Sequence, residues 1–243
     1  MQMGSKNVHT KKIISSLFIM LFFTLSLHAE KIFFSAASMT GQTGDNKRNT
    51  TKLIGEAYVK TETMEIYADS IELSGEDYRK IIAEGNIKGK NIEAKMDFTC
   101  SYLEYDRQTK IALLKGDVSL TDLENDVKAQ AQIIEYNQDT QIAVLQVQIK
   151  LLQKNNTCTG SYAIYQKKAQ LLDISGNAQV RQGDDLFRAQ SISLNLDTQE
   201  IELLGNVQGT VTQKNEEKSE EKNTEKKENP EEQKTDAAAG GGN

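Results

Sequence analysis

Ile201-Glu202-Leu203-Leu204-Gly205-Asn206-Val207 runs an alternation of apolar and polar residues into a glycine, an Asx residue and an aliphatic one. Relatives of this stretch stand at Ile82-Ala83-Glu84-Gly85-Asn86-Ile87, Leu113-Leu114-Lys115-Gly116-Asp117-Val118 and Asp173-Ile174-Ser175-Gly176-Asn177-Ala178, with a degenerate first copy at Leu53-Ile54-Gly55-Glu56-Ala57. The slots are Gly55, Gly85, Gly116, Gln146, Gly176 and Gly205, at steps of 30, 31, 30, 30 and 29, so Gln146 breaks the glycine rule in the fourth unit.

A second marker keeps the same period. It reads small residue, two residues, apolar, one residue, Leu or Tyr: Ala68–Leu73, Cys100–Tyr105, Ala131–Tyr136, Gly160–Tyr165 and Ala189–Leu194. A fixed period in the 20–50 residue range means stacked copies of one supersecondary unit. Each unit reads as β. Ile192, Leu194 and Leu196 alternate with Ser193 and Asn195, and Val147, Ile149 and Leu151 alternate with Gln148 and Lys150. Such a period of two gives each strand one apolar face.

Turns follow the second marker at Asp106-Arg107-Gln108-Thr109, Asn137-Gln138-Asp139-Thr140 and Asp197-Thr198-Gln199. Asx side chains accept hydrogen bonds from the backbone two residues on and so start turns. Other polar breaks lie at Gly89-Lys90-Asn91, Glu124-Asn125-Asp126, Asn155-Asn156 and Gly183-Asp184-Asp185. The repeated glycine has two readings, a type II′ hairpin turn or a bulge where a strand bends. The bend is preferred, because the alternation continues through the glycine and the Asx turn already reverses the chain.

Amphipathic strands at this spacing predict an all-β fold: an elongated two-sheet β-jelly roll or β-solenoid of five degenerate repeats. Its interior is a lengthwise apolar seam. The expected lining is Ile66, Ile71, Leu73, Phe98, Leu103, Leu113, Val118, Ile134, Val147, Ile149, Ile192, Leu194, Leu196 and Leu203. Residue by residue these are core; collectively they line a slot for a lipid chain if the sheets splay. Five or six strands per sheet predict a length of roughly 25 Å. The end strands, expected near Ile66 and Ile201, lack Pro and invite strand addition.

The ends of the chain are of different material. Lys6, Lys11 and Lys12 precede an apolar run from Ile13 to Leu27 and then Leu27-His28-Ala29, the pattern of a secretory signal over 1–29. Residues 30–52 read as a polar linker with a possible short strand at Ile32-Phe33-Phe34. The repeat domain spans 53–213, and residues 214–243, with six Lys against eight Glu and one Asp, read as a disordered charged tail.

Both histidines, His9 and His28, fall in the signal, so a processed chain has no imidazole for Ser-His or Cys-His catalysis or for a metal. The net charge is −6 with no basic stripe, which argues against a nucleic-acid partner. The carboxylate pairs Asp69/Glu72 and Asp184/Asp185 have no equivalents in other units and read as solvated. No phosphate loop, nucleophile elbow or metal spacing is present, so no enzyme, cofactor or metal site is expected. Cys100 and Cys158 are expected to be buried free thiols, being units apart.

The array of Gly85-Asn86-Ile87, Gly116-Asp117-Val118, Gly176-Asn177-Ala178 and Gly205-Asn206-Val207, with Ala68-Asp69 and Ala189-Gln190, resembles the OstA-like family, which includes LptA. The resemblance covers roughly 53–211. It implies a V-shaped β-jelly roll in the periplasm that shields acyl chains of lipopolysaccharide or another glycolipid between inner and outer membrane. It also implies head-to-tail stacking on itself and strand addition to inner-membrane LptC-like and outer-membrane LptD-like jelly rolls. Two other readings remain: an anchored LptC-like adaptor, if the N-terminal segment is retained, and a lipid-free polymerising scaffold.

Overall fold

The computed structural model describes residues 31–42 and 50–212. The expected signal segment, the middle of the expected linker and the charged tail lie outside the described residues. Ten long strands follow one another as antiparallel neighbours: β3 (Thr50–Lys60), β4 (Met64–Ser74), β5 (Lys80–Asn91), β6 (Met96–Asp106), β7 (Ile111–Asp122), β8 (Val127–Asn137), β9 (Ile142–Gln153), β10 (Asn156–Gln166), β11 (Leu171–Gln182) and β12 (Asp185–Asn195). Short strands β1 (Phe33–Ser35) and β2 (Ser38–Gln42) both pair with β3, and β13 (Ile201–Leu204) and β14 (Gln208–Thr210) both pair with β12. The stretch read as a linker therefore supplies the first edge of the sheet. The strand holding Ile66 is interior, not an end.

The expected two sheets are one sheet, folded along a line through the strand middles. Each odd-numbered long strand carries two consecutive residues with positive φ. Four of the five pairs are Gly55/Glu56 (77° and 48°), Gly85/Asn86 (77° and 46°), Gly116/Asp117 (79° and 45°) and Gly176/Asn177 (70° and 59°). The register shifts there in every pair, as between Glu84 and Ile87 of β5 opposite Tyr102 and Cys100 of β6. Two left-handed residues in a row insert a bulge and turn the strand without ending it. The second sequence marker is the partner strand at the same fold line. Ala68 and Ile71 both point inward, and Asp69 and Ser70 between them face out around the bend.

Contacts between strand ends establish the folding. An unbent strand of 11 residues spans roughly 36 Å. Yet Asp122, at one end of β7, lies 3.0 Å from Lys167, which follows the opposite end of β10. The two halves thus face each other. Their rims meet along a mouth opposite the fold line. One rim holds the turns after β4, β6, β8, β10 and β12; the other holds those after β3, β5, β7, β9 and β11. With β1/β2 and β13/β14 counted as broken strands, each half has twelve strands and a length of roughly 50 Å, twice the expected value. The short estimate had shared the strands of a unit between two sheets, whereas every long strand crosses both halves.

The fourth slot is Val147, not Gln146. Val147 and Gln148 take the left-handed pair, with φ of 66° and 55°. A valine in that region is strained, because its branched Cβ crowds the carbonyl. At the other slots the glycine is also needed for space. A Cβ on Gly116 would meet Ser101 Oγ and Cβ at 2.9 and 3.0 Å, and one on Gly176 would meet Ser161 Cβ at 2.9 Å. Beside Val147 the corresponding residue, Gln132, turns its amide to Asp117 Oδ1 at 2.8 Å.

The turns follow Asx chemistry with one shift. Asp106 Oδ1 accepts from the Gln108 and Thr109 amides at 2.9 and 3.1 Å, and Asn137 Oδ1 from Thr140 at 3.0 Å. In the last unit Asn195, not Asp197, accepts from Asp197 and Thr198, both at 3.0 Å. Gly89-Lys90-Asn91 belongs to β5, and only Asn91 starts a turn, accepting from the Ala94 amide at 2.8 Å.

Candidate functional site

The seam between the halves is the candidate site, and strand parity decides what lines it. Two residues before and two after each of the first five slots point inward: Leu53 and Ala57, Ala83 and Ile87, Leu114 and Val118, Leu145 and Ile149, Ile174 and Ala178; after Gly205 the rule lapses, and Val207 is exposed. Of the expected lining, Ile66, Ile71, Leu73, Phe98, Leu103, Val118, Ile134, Ile149, Ile192, Leu194 and Leu196 are buried in this one cluster. Leu203 is partly buried and packs against it. Two expected residues do not line it. Leu113 is half-buried, because parity gives the inward place to Leu114. Val147 is 49% exposed, because it occupies the bend itself.

Side chains fill the seam, and its polarity is confined to the rims. The buried polar residues among those described are Thr51, Thr61, Asn91, Asp122, Gln138, Gln153, Asn156 and Lys167. All stand at strand ends or in the turns, so none interrupts the apolar interior. Cys100 and Cys158 are both free and buried. Burial pushes the Cys100 thiol up to about 11 and the Cys158 thiol up to about 12.

Three polar rungs cross the mouth. In the first, Gln138 Nε2 donates to Glu93 Oε2, and Tyr105 Oη donates to Gln138 Oε1 at 3.3 Å. In the second, Lys167 Nζ lies 3.0 Å from Asp122 Oδ1 and 2.6 Å from Glu124 Oε2. Tyr165 Oη donates to Asp122 Oδ2 at 2.8 Å, and Asn125 Nδ2 to the same oxygen at 2.9 Å. In the third, Gln153 Nε2 donates to the Leu196 carbonyl at 3.1 Å, Asn156 Nδ2 to Gln199 Oε1, and Gln199 Nε2 to Gln153 Oε1 at 3.4 Å. Each rung joins a turn on one rim to the turn three strands later on the other.

The neutral bonds among these contribute only about 1 kcal/mol each and those to Glu93 and Asp122 about 1.5–3 kcal/mol, since water replaces them when they part. Asp122 does two jobs, because its Oδ1 also accepts from the Glu124 and Asn125 amides at 3.0 and 3.3 Å and so shapes its own turn. Burial, and then the Asp122 carboxylate it donates to, pushes the Tyr165 phenol upward. Between the first two rungs the Tyr136 hydroxyl is buried with no hydrogen-bond partner. Burial, with the Asp122 and Glu93 charges adding, pushes its phenol up to about 12.

Sequence reading missed the rungs. Their one signal is polar residues at strand ends repeating near the 30-residue period: Glu93, Asp122 and Gln153 on one rim, Gln138, Lys167 and Gln199 on the other. No cluster of His, Cys, Asp or Glu that would hold a metal occurs among the described residues.

A comparison with curated proteins found no match. Solved structures that match include LptH, the LptA-homologous periplasmic component of the conserved lipopolysaccharide transport device from Pseudomonas aeruginosa. That likeness is at 17% identity and a TM-score of 0.27, over 60% of this chain and 83% of that one. A TM-score this low leaves the assignment to the family match. The family described as OstA-like protein matches residues 29–184, more than half of the chain. With the fold-line glycines and the inward parity of their neighbours all inside that range but one, this chain belongs to the OstA-like protein family.

Proposed function

We propose that this chain is a non-enzymatic periplasmic carrier. It shields the acyl chains of lipopolysaccharide or a related glycolipid in its seam and bridges inner and outer membrane. The observation that carries the reading is the unbroken apolar interior, which runs the length of the sheet with its polar groups kept at the rims. An acyl chain needs such a lining and no directional chemistry. The reading also draws on membership of the OstA-like family.

Stacking extends the bridge. Beyond β1/β2 and β13/β14 no further strand pairs among the described residues, and Phe33, Phe34 and Met39 at one edge and Leu204 and Val207 near the other are exposed. Unpaired edges with apolar neighbours suit strand addition by a second copy or by LptC-like and LptD-like jelly rolls.

A photoreactive residue in place of Leu103 or Ile134 tests the carrier reading, with Lys88 on the outer face as control. Crosslinks to lipid from the two seam positions and none from the outer one are expected. A folded protein that crosslinks equally from all three, or from none, overturns the reading. A second reading, a lipid-free scaffold, is favoured by the filling of the seam by its own side chains. Mass spectrometry of the protein purified from its native membrane fraction separates the two, since only the carrier retains lipid.

A further inference from the structure

We infer that the mouth of the folded sheet is a latch, poised between shut and open, and that the halves part there rung by rung rather than only when the protein unfolds. The inference goes beyond the carrier reading and stands without it, since it concerns motion of the protein alone.

The chemistry of the mouth supports it. Asp122, Lys167, Gln138, Gln153 and Gln199 are bonded across the rims when shut, and all are side chains that water accepts when the rims part. An apolar mouth would have held the halves together more firmly, because buried polar and ionic groups are weak sources of stability. By contrast, the fold line opposite is flanked on both sides by backbone ladders, which resume after a shift of register at every bend. Parting at one rung therefore hinges at the fold line and breaks no backbone ladder; it breaks the side-chain bonds of that rung and exposes the apolar side chains directly behind it.

Tyr136 supplies the second observation. Its hydroxyl is buried and unpartnered in the shut mouth, a standing cost that water relieves when the rims part. That cost offsets part of what shutting gains beside the Gln138 and Lys167 rungs.

The two natural thiols report on opening. Cys158 is the next inward residue after Asn156, directly behind the third rung. Cys100 lies deeper, behind Met96 and Phe98, on the strand between the turns of the first two rungs. Both thiols are protonated and shielded when shut, so neither reacts until the rims part.

The experiment is maleimide labelling of the full chain without denaturant, with each cysteine followed separately by mass spectrometry. Gln199→Gly removes two of the three bonds of the third rung, leaving Gln153 on the Leu196 carbonyl, and keeps a backbone whose φ of 67° glycine accepts without strain. We expect Cys158 to label roughly five- to tenfold faster in this variant while Cys100 is unchanged. Tyr136→Phe removes the orphan hydroxyl, and Cys100 is expected to label a few-fold more slowly. Equal acceleration of both cysteines by Gln199→Gly, in step with a lower urea midpoint, would mean global unfolding and overturn the latch. Unchanged Cys158 labelling in folded Gln199→Gly overturns it too, as does Cys100 labelling in Tyr136→Phe no slower than in the wild type.

Discussion

Lys167 reaches across the mouth to Asp122, with Nζ 3.0 Å from Oδ1 and side-chain exposures of only 2% and 0%. The two residues are 45 apart in sequence and come from opposite rims, so this ion pair exists only when the sheet is folded in half.

Removing one charge should therefore cost far more than removing both. Lys167→Met strands a buried carboxylate, and we expect a loss of about 3–5 kcal/mol in urea denaturation. Adding Asp122→Asn, which still caps its turn, should recover most of it. A double variant as unstable as the single one would mean that the charges are not coupled.

The fourth fold-line slot should be improvable. Val147→Gly relieves a left-handed valine that is half-exposed, and about 1 kcal/mol of added stability is expected after allowing for the freer unfolded chain. The reverse exchange, Gly116→Val, meets Ser101 at 2.9 and 3.0 Å and should destabilise by more than the 1–2 kcal/mol or so of left-handed strain. Thermal melting of both variants checks the sign.

Adjacent leucines should differ. Leu114→Ala opens a hole in the seam, for which about 2–5 kcal/mol is expected. Leu113→Ala trims a half-buried outer residue and should cost well under half of that. A larger loss at Leu113 than at Leu114 in chemical denaturation would place the parity of β7 the other way.

Acid should weaken the rim at Asp106. The Arg79 guanidinium, which donates to both its oxygens at 2.6–2.9 Å, and the Thr109 and Gln108 amides hold this carboxyl at about 2, below its ordinary 3.8. Its folded value is depressed, so its contribution is complete above about 3.8 and fades as pH falls through about 2. Asp106→Asn should be less stable than wild type at neutral pH, and the gap should narrow across that window. A gap that is constant from pH 6 to 2 would assign the role of Asp106 to hydrogen bonding alone.

Much of the fold was legible because its rules are local. A glycine that must take positive φ, the alternation on either side of it and the Asx residue that starts a turn all act within a few residues, so they recur visibly in Gly85-Asn86-Ile87 and Gly205-Asn206-Val207. The fourth unit misled because Val147 holds by force of its neighbours a conformation that its own side chain disfavours. Reading Gln146 as the slot then placed Val147 in the seam, and beside Gly116 the run Leu113-Leu114 hid which leucine faces in.

The sequence by itself determined that this chain is a repeating, all-β, bent-strand protein with one apolar face, since period and parity are properties of the strand alone. Only the tertiary structure decided that the two halves are one sheet and that its mouth is bridged by Asp122–Lys167 and its sister rungs. Those contacts pair residues some 43–46 positions apart, about one and a half repeats. That offset is set by how far one half slides past the other on folding, and no window of sequence contains it.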